Sequence, residues 1–169
     1  MSLAQVLKRA KRVRFLLLDV DGVLTDGTIT YCSDGHEVKS FDIQDGYGLR
    51  QLADAGIGIG LLSGRRSPIV DRRAKELNIT EVHQGVAEKL PIYEALLSRK
   101  GLQDSDMAYV GDDMPDLAVL RRVGFAVTVR NAHPMVKRAA HYVTVKRGGE
   151  GAVREVSDLV LRAQRGLAR

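Results

Sequence analysis

Short apolar runs alternate along the chain with longer segments of helical periodicity. The strand-length runs cover residues 14–19, 57–62, 107–110 and 125–129, with weaker ones at 81–83 and 142–145. The helical pattern covers residues 47–55, 68–77, 87–100, 114–122 and 151–165. Continuous apolar runs are typical of strands buried on both faces, and intervening helices serve as crossovers of a parallel sheet. We therefore predict an α/β fold with a Rossmann-like open parallel sheet and helices on both faces.

One segment departs from this alternation. Residues 28–32 and 37–41 each fit a short strand, and the pair Asp34-Gly35 lies between them. An Asp-Gly pair between two such runs favours a β-hairpin. The chain of 169 residues contains no repeat and no Pro/Gly-rich linker, and its length suits one domain. We predict a single domain over residues 1–169 with a hairpin inserted at about 28–41.

Composition limits the classes of function. The single cysteine, Cys32, excludes an internal disulfide and favours a reducing, cytoplasmic setting. The apolar run that stops at Asp19 is too short for a membrane span and is followed by no signal-peptide cleavage pattern, so we expect no membrane association. A net charge of +5 favours an anionic partner, but 5% aromatic residues leave few platforms for stacking bases. We expect a small acidic substrate and not nucleic acid.

Acidic and hydroxyl side chains follow three of the predicted strands. Asp19 and Asp21 end the first strand two residues apart, so in extended backbone they project to the same side. Ser63 and Asp112 each follow another apolar strand. Ligands of open α/β sheets bind beyond the carboxyl ends of the strands. Two acids on one face repel each other unless a cation or shared proton lies between them, so the pattern indicates a metal or proton-transfer site.

These residues also allow purely structural interpretations. Asp19 and Asp21 fit a strand end followed by a turn, and Asp113 and Asp116 fit the N-cap and first turn of a helix. Lys89, at the start of a predicted helix, fits a solvated charge. Capping does not explain why several strand ends on one edge carry acids. Mg²⁺ does, because it binds a few carboxylates and completes its shell with water and phosphate oxygens.

Other loops that bind metals or nucleotides do not fit the sequence. The residues after Asp21 lack the further oxygen ligands of an EF-hand loop. Neither a Walker A loop nor a dinucleotide-binding G-x-G-x-x-G motif occurs. The remaining candidate chemistry is therefore concentrated in the strand-end acids, the hydroxyl and the lysine.

In chain order, the segments Asp19-Val20-Asp21-Gly22, Ser63, Lys89 and Gly111-Asp112-Asp113 resemble the four motifs of the haloacid dehalogenase superfamily. That resemblance implies phosphoryl transfer through an aspartyl phosphate. It makes Asp19 the nucleophile and Asp21 the general acid and then the general base. Ser63 and Lys89 would hold the transferring phosphoryl group.

The same resemblance implies Mg²⁺ as the cofactor. Its ligands would be the Asp19 carboxylate, the main-chain carbonyl of Asp21 and the Asp112 carboxylate. Asp113 and Asp116 would support these ligands without binding the metal. The positive charges of Mg²⁺ and Lys89 suit this chemistry, because a carboxylate that attacks a phosphate dianion must overcome like-charge repulsion.

Residues 41–48, 63–65 and 148–155 look like those of 3-deoxy-D-manno-octulosonate 8-phosphate phosphatases, a capless family of that superfamily. The resemblance implies hydrolysis of this sugar-acid phosphate to KDO (3-deoxy-D-manno-octulosonate) and phosphate, in lipopolysaccharide precursor synthesis. It also implies a homotetramer in which the hairpin of one chain covers the active site of another. The residues it places at the substrate are Asp21, Asp42, Ile43, Gln44, Asp45, Gly46, Arg50, Arg65, Arg73 and Lys89.

One departure from the family pattern keeps alternatives open. Gln44 stands where those enzymes commonly carry Arg, which allows another sugar-acid phosphate such as KDN (2-keto-3-deoxynononate) 9-phosphate or N-acylneuraminate 9-phosphate. Relatives that act on KDN 9-phosphate tend to have Glu in place of Arg65 and Lys in place of Glu76, and neither occurs here. A non-catalytic scaffold of the same fold is disfavoured because the four motifs are intact. Finally, we expect the end of the helix over 151–165, with nearby Arg169, to reach an active-site mouth in the tetramer.

Overall fold

The central strands are apolar at every position, and this composition places them inside the protein. The computed structural model describes residues 1–166. Its strands are β1 (Phe15–Leu18), β2 (Thr30–Tyr31), β3 (Glu37–Val38), β4 (Gly58–Leu62), β5 (Glu81–His83), β6 (Met107–Val110), β7 (Phe125–Thr128) and β8 (Tyr142–Val143). Its helices are α1 (Leu3–Ala10), α2 (Ile43–Asp54), α3 (Pro68–Glu76), α4 (Lys89–Lys100), α5 (Leu117–Leu120), α6 (Pro134–Ala139) and α7 (Ala152–Gln164).

Six strands form one sheet in the order β5-β4-β1-β6-β7-β8, and every neighbouring pair is parallel. The strand β1 lies between β4 and β6, with Leu18 in register with Leu61 and Val110. All residues of β1, β6 and β7 are buried, as expected for a parallel sheet covered on both faces. The predicted α/β class and open parallel sheet are confirmed.

Helices cover the sheet in two layers. On one side α2 packs against α7, and α7 packs against α1; on the other side α5 packs against both α4 and α6. The approach of α2 to α7 depends on Gly48, where a Cβ atom would lie 2.9 Å from the Ser157 hydroxyl. This close packing fixes the start of α2, which follows the hairpin, relative to the sheet.

The hairpin is present but shorter than predicted. Residues 28–32 and 37–41 were expected as strands, whereas β2 and β3 contain two residues each. The turn closes through the Cys32 amide, which donates to the His36 carbonyl at 2.8 Å, and Gly35 adopts a left-handed φ of 87°. The longer strands are wrong because the ladder between the two arms is confined to the pairs Thr30–Val38 and Tyr31–Glu37.

Several helix boundaries differ from the prediction. The pattern missed α1 and α6, although a capping box between Ser2 and Gln5 begins α1. The helix expected at 47–55 begins at Ile43, because the Asp42 carboxylate accepts a hydrogen bond from the Gln44 amide at 2.6 Å. The helix expected at 114–122 is a 3₁₀ turn over Met114–Asp116 followed by the short α5. Arg169, named for the mouth of the site, lies outside the described residues.

Candidate active site

The carboxyl edge of the sheet collects the polar residues that follow β1, β4 and β6. Asp19 follows β1 directly, and its amide donates to the Val110 carbonyl at 2.9 Å. Ser63 follows β4, is 2% exposed, and its hydroxyl accepts from the Arg65 amide at 3.4 Å. Asp112 comes two residues after β6. Parallel strands end at the same edge, so Asp19, Ser63 and Asp112 share one side of the molecule.

Three carboxylates form a tight cluster at this edge. One oxygen from each of Asp19, Asp112 and Asp116 lies within 4.8 Å of the others. Burial and then the charge of Asp116 raise the pKa of Asp19 to about 6. Burial and then the charge of Asp19 raise the pKa of Asp112 to about 7. Three clustered acids, two of them with raised pKa values, favour the binding of a cation, and oxygen donors of this kind suit Mg²⁺. The residues therefore fit the metal that the sequence predicts.

Asp116 differs from the other two acids because its oxygens are already fully hydrogen bonded. One oxygen accepts from the Lys89 ammonium at 2.7 Å and from the Tyr109 hydroxyl at 2.6 Å. The other accepts from the backbone amides of Asp112 at 2.9 Å and Asp113 at 3.1 Å. Asp116 thereby holds the loop after β6 and fits the predicted supporting position. The carboxylates left for a metal are those of Asp19 and Asp112.

Lys89 lies between two of the acids. Its residue is 4% exposed, and its ammonium lies 2.7 Å from an oxygen of Asp19 and 2.7 Å from an oxygen of Asp116. Burial opposes the charge, but the Asp19 and Asp116 carboxylates outweigh burial and raise the pKa of Lys89. The ammonium is therefore a fixed positive charge against the candidate nucleophile. Asp113 is exposed and caps the turn that begins at Met114. The Met114 amide donates a hydrogen bond to the Asp113 carboxylate at 2.8 Å.

The loop after β1 passes very close to Asp112. Gly22 has a φ of 83°, and a Cβ atom at this position would lie 2.1 Å from an Asp112 carboxylate oxygen. On its other side, a Cβ atom at Gly148 would lie 1.7 Å from the Gly22 carbonyl oxygen. The Gly149 amide donates to the Val23 carbonyl at 3.1 Å. Glycine at 22 and 148 thus lets two loops and an acid share one small space.

We expect Gly22→Ala to weaken Mg²⁺ binding at least tenfold, because the new methyl group displaces the Asp112 carboxylate, and a perturbed ligand shell typically costs about 10- to 100-fold in affinity. The Mg²⁺ dependence of phosphate release measures this effect. Gly35→Ala is the matched control: its φ of 87° carries the same strain, but nothing lies within 4 Å of the added Cβ. Equal Mg²⁺ dependence in both variants would contradict the expectation.

The predicted substrate segment 42–46 begins α2. Its residues Ile43 and Gln44 are exposed, whereas Asp45 is 1% exposed. The Asp45 carboxylate accepts from the Arg154 amide at 2.7 Å, at the start of α7, and burial raises the pKa of Asp45 to about 6. A Cβ at Gly46 would lie 2.4 Å from the Arg73 guanidinium. Asp45 therefore joins α2 to α7, and its predicted contact with substrate stays a prediction.

The three predicted substrate arginines have different surroundings. The Arg65 guanidinium lies 3.8 Å from an oxygen of Asp21. Arg73 donates to the Asp42 carbonyl at 3.3 Å and stacks on Phe41 with its guanidinium carbon 5.6 Å from the ring centroid. Arg50 is exposed on α2, two turns after its start. The structure brings Arg65 to the Asp21 side chain, and it gives Arg73 a role in holding the start of α2.

Sequence reasoning missed Glu37 and Lys39 of the hairpin. The Lys39 ammonium contacts an Asp21 carboxylate oxygen directly and lies 3.5 Å from Glu37, which pairs with Arg65 at 3.0 Å. The available signal was their spacing, since residues two apart in a strand project to the same face. Tyr109, fully buried with its hydroxyl on Asp116, was also missed because it lies inside an apolar strand.

The fold and these strand-end groups define a class of protein. The family model for haloacid dehalogenase-like hydrolases matches residues 74–156. The 3-deoxy-D-manno-octulosonate 8-phosphate phosphatase KdsC of Yersinia pestis is 45% identical over 159 residues, which are 94% of this chain and 85% of that protein. KdsC of Escherichia coli K12 is 44% identical over 161 residues, covering 95% of this chain and 86% of that protein.

A solved structure is also similar to this chain. The KdsC phosphatase of Moraxella catarrhalis, crystallised with magnesium ion, phosphate ion and KDO, is 43% identical with a TM-score of 0.95. The alignment covers 98% of this chain and 95% of that one. The chain belongs to the family of the 3-deoxy-D-manno-octulosonate 8-phosphate phosphatases, within the haloacid dehalogenase-like hydrolases. Over residues 1–166, no helix has the length and apolar character needed to cross a membrane.

Proposed function

We propose that the protein is a Mg²⁺-dependent phosphatase that hydrolyses 3-deoxy-D-manno-octulosonate 8-phosphate to KDO and phosphate. The observation that carries the proposal is the cluster of Asp19, Lys89, Asp112 and Asp116 at the carboxyl edge of the sheet. The substrate is supported by relatives that carry this activity in their names at 43–45% identity. The complex of such a relative with magnesium, phosphate and KDO supports both the metal and the sugar acid.

In the first step, the Asp19 carboxylate attacks the phosphorus, and the bond from phosphorus to the sugar oxygen breaks. Lys89 holds one oxygen of Asp19 and offsets the charge of the incoming phosphate. The Val20 amide donates to the other Asp19 oxygen at 2.6 Å, so the carboxylate has one orientation. Asp21 protonates the departing sugar oxygen, and the phosphoryl group remains on Asp19 as an acyl phosphate.

In the second step, Asp21 takes a proton from a water molecule as that water attacks the phosphorus, and the Asp19 carboxylate is released with inorganic phosphate. Ser63, buried at the end of β4, is the proposed donor of a hydroxyl hydrogen bond to a phosphoryl oxygen. The carboxylates of Asp19 and Asp112 and the Asp21 carbonyl are the proposed Mg²⁺ ligands. When bound, Mg²⁺ supplies positive charge that offsets the repulsion between the carboxylate and the phosphate.

The Lys39–Asp21 and Arg65–Glu37 pairs bring two cations close to Asp21, near the proposed position of the substrate's phosphate oxyanion. Guanidinium groups bind such oxyanions through two parallel hydrogen bonds. We assign Arg65 to the substrate, together with the exposed residues Ile43 and Gln44 at the start of α2. The remaining residues proposed to contact the substrate, held in place by α2 and α3, are Asp42, Gly46, Arg50 and Arg73.

The wild-type enzyme is expected to release phosphate fastest from 3-deoxy-D-manno-octulosonate 8-phosphate when Mg²⁺ is present. KDN 9-phosphate, N-acylneuraminate 9-phosphate and glucose 6-phosphate form the comparison set, and kcat/KM for each is measured by phosphate release. A flat profile across the set would contradict sugar-acid specificity. Higher activity on a nine-carbon acid phosphate would overturn the octulosonate assignment. Gln44 would then be the residue to substitute first.

We further propose that residues 1–169 form one domain and that four chains associate. One apolar core, built from all six strands of the main sheet, supports a single domain across the described residues. The hairpin exposes Ile29, Tyr31 and Val38, with 65% of Tyr31 accessible, and such apolar groups suit contact with a neighbouring chain. The exposed thiol of Cys32 supports a reducing, cytoplasmic location.

A further inference from the structure

A charged side chain of the hairpin is buried beside the predicted proton-transfer residue. The Lys39 side chain is 2% exposed, and its ammonium contacts an oxygen of Asp21. Burying an ammonium group costs free energy unless an opposite charge lies close to it. Lys39 has two such partners, because Glu37 lies 3.5 Å away on the other side. Its position is thus defined by Asp21 and Glu37 and not by solvent.

The four charges form a closed set in which cations and anions alternate. Asp21 contacts both Lys39 and Arg65, and Glu37 contacts the same two cations. Glu37 and Lys39 come from the hairpin, Asp21 from the end of β1 and Arg65 from the end of β4. The set has no net charge, so each ion is balanced where it is partly removed from water. It fastens the hairpin to the carboxyl edge of its own chain.

We propose that Lys39 is a positioning residue for Asp21, holding its carboxylate in the orientation needed to protonate the leaving sugar oxygen. The inference rests on the proposed phosphatase function and extends it to a residue outside the four motifs. Asp21 is 23% exposed in its side chain, so without a partner it can turn toward solvent. Lys39 holds one oxygen of Asp21, and the other lies 3.8 Å from Arg65, beyond hydrogen-bond distance, where it can face the substrate.

The chemistry of the leaving group distinguishes positioning from general support. A sugar alkoxide is a poor leaving group and needs a proton as its bond to phosphorus breaks, whereas 4-nitrophenolate leaves without one. The ratio kcat/KM includes only steps through the first bond cleavage, so the second role of Asp21 as a base does not enter. A loss shared by alkyl phosphates with and without a carboxylate, such as the octulosonate ester and glucose 6-phosphate, and absent from 4-nitrophenyl phosphate therefore reports the proton donor.

Lys39→Met is expected to lower kcat/KM for 3-deoxy-D-manno-octulosonate 8-phosphate by about 30-fold, and for 4-nitrophenyl phosphate by less than about 3-fold, since general acid catalysis contributes 10²- to 10⁴-fold. Lys39→Arg keeps the cation and is expected to restore most of the loss. Lys75→Met, on the exposed surface of α3, is the matched control and should change neither substrate. Thermal unfolding of each variant checks that it is folded.

A second variant separates positioning from docking of the hairpin. Glu37→Gln breaks the ion pairs of Glu37 with Arg65 and Lys39 but leaves the contact between Lys39 and Asp21. It is expected to affect both kinds of substrate by the same factor. Equal losses on alkyl and aryl phosphates in Lys39→Met, or no loss on either, would overturn the proposal.

The same assays separate this proposal from the substrate assignment. If the wild type prefers another alkyl phosphate, the octulosonate assignment fails. The Lys39 variants are then compared on that preferred ester and on 4-nitrophenyl phosphate, and the same outcomes support or overturn the proposal.

Discussion

Asp19→Asn is expected to lower phosphatase kcat by about 10⁴-fold or more, because an amide oxygen cannot form the phosphoenzyme and loss of a nucleophile typically removes most of the rate enhancement. The fold should persist. Burial and the charge of Asp116 raise the pKa of Asp19, so a neutral side chain is accepted at this position. Phosphate release under saturating Mg²⁺ measures activity, and circular dichroism with thermal unfolding measures the fold.

The matched control for this variant is Asp54→Asn, which makes the same change on the exposed last turn of α2. It should retain wild-type activity. Substantial activity in Asp19→Asn, under conditions that exclude deamidation back to aspartate, would refute Asp19 as the nucleophile. Mass spectrometry of the intact variant before and after the assay excludes such reversion.

Lys89→Met is expected to lower kcat/KM by about 10³-fold, the upper range for removal of one electrostatic donor from an active site. The protein should also lose about 3 kcal/mol of stability, because removing one partner leaves buried carboxylates uncompensated. The ammonium lies 2.7 Å from both Asp19 and Asp116, so both acids lose their cation. Steady-state kinetics and urea unfolding in EDTA measure the two effects.

Adding Mg²⁺ should return part of the stability lost in Lys89→Met, since a cation that binds only the folded state stabilises it by mass action. Lys75→Met, exposed on α3, provides the control and should unfold like the wild type. Unchanged stability of Lys89→Met in EDTA would contradict the interpretation of the acid cluster as short of positive charge.

The positions of the acids could be predicted because they depend on strand ends. Continuous apolar runs fix which segments are buried parallel strands, and the residue after each run must lie at one edge of the sheet. Asp19, Ser63 and Asp112 followed from that argument alone, and Lys89 at the start of α4 completed the order of motifs. The strand boundaries at 81–83 and 107–110 were also correct.

What the pattern could not reveal depends on contacts between distant segments. Asp116 was predicted as a supporting residue, but only the structure shows that four donors occupy its oxygens. Lys39 resembles any surface lysine until the hairpin folds against Asp21. Asp45 is predicted at the substrate, and only the structure shows that its carboxylate also accepts a hydrogen bond from Arg154 at the start of α7, 109 positions later in the sequence. Such pairings carry no local periodicity.

The contact of Gly148 with the Gly22 carbonyl has a consequence for protein synthesis. The loop that carries Asp21 and faces Asp112 is closed by residues that follow β8, and α7 is then joined to α2 through Asp45. A growing chain on the ribosome exposes both aspartate motifs long before it can complete this closure. The emerging polypeptide is therefore expected to complete the packing around Asp112 only after residues 148 and 149 have been synthesised.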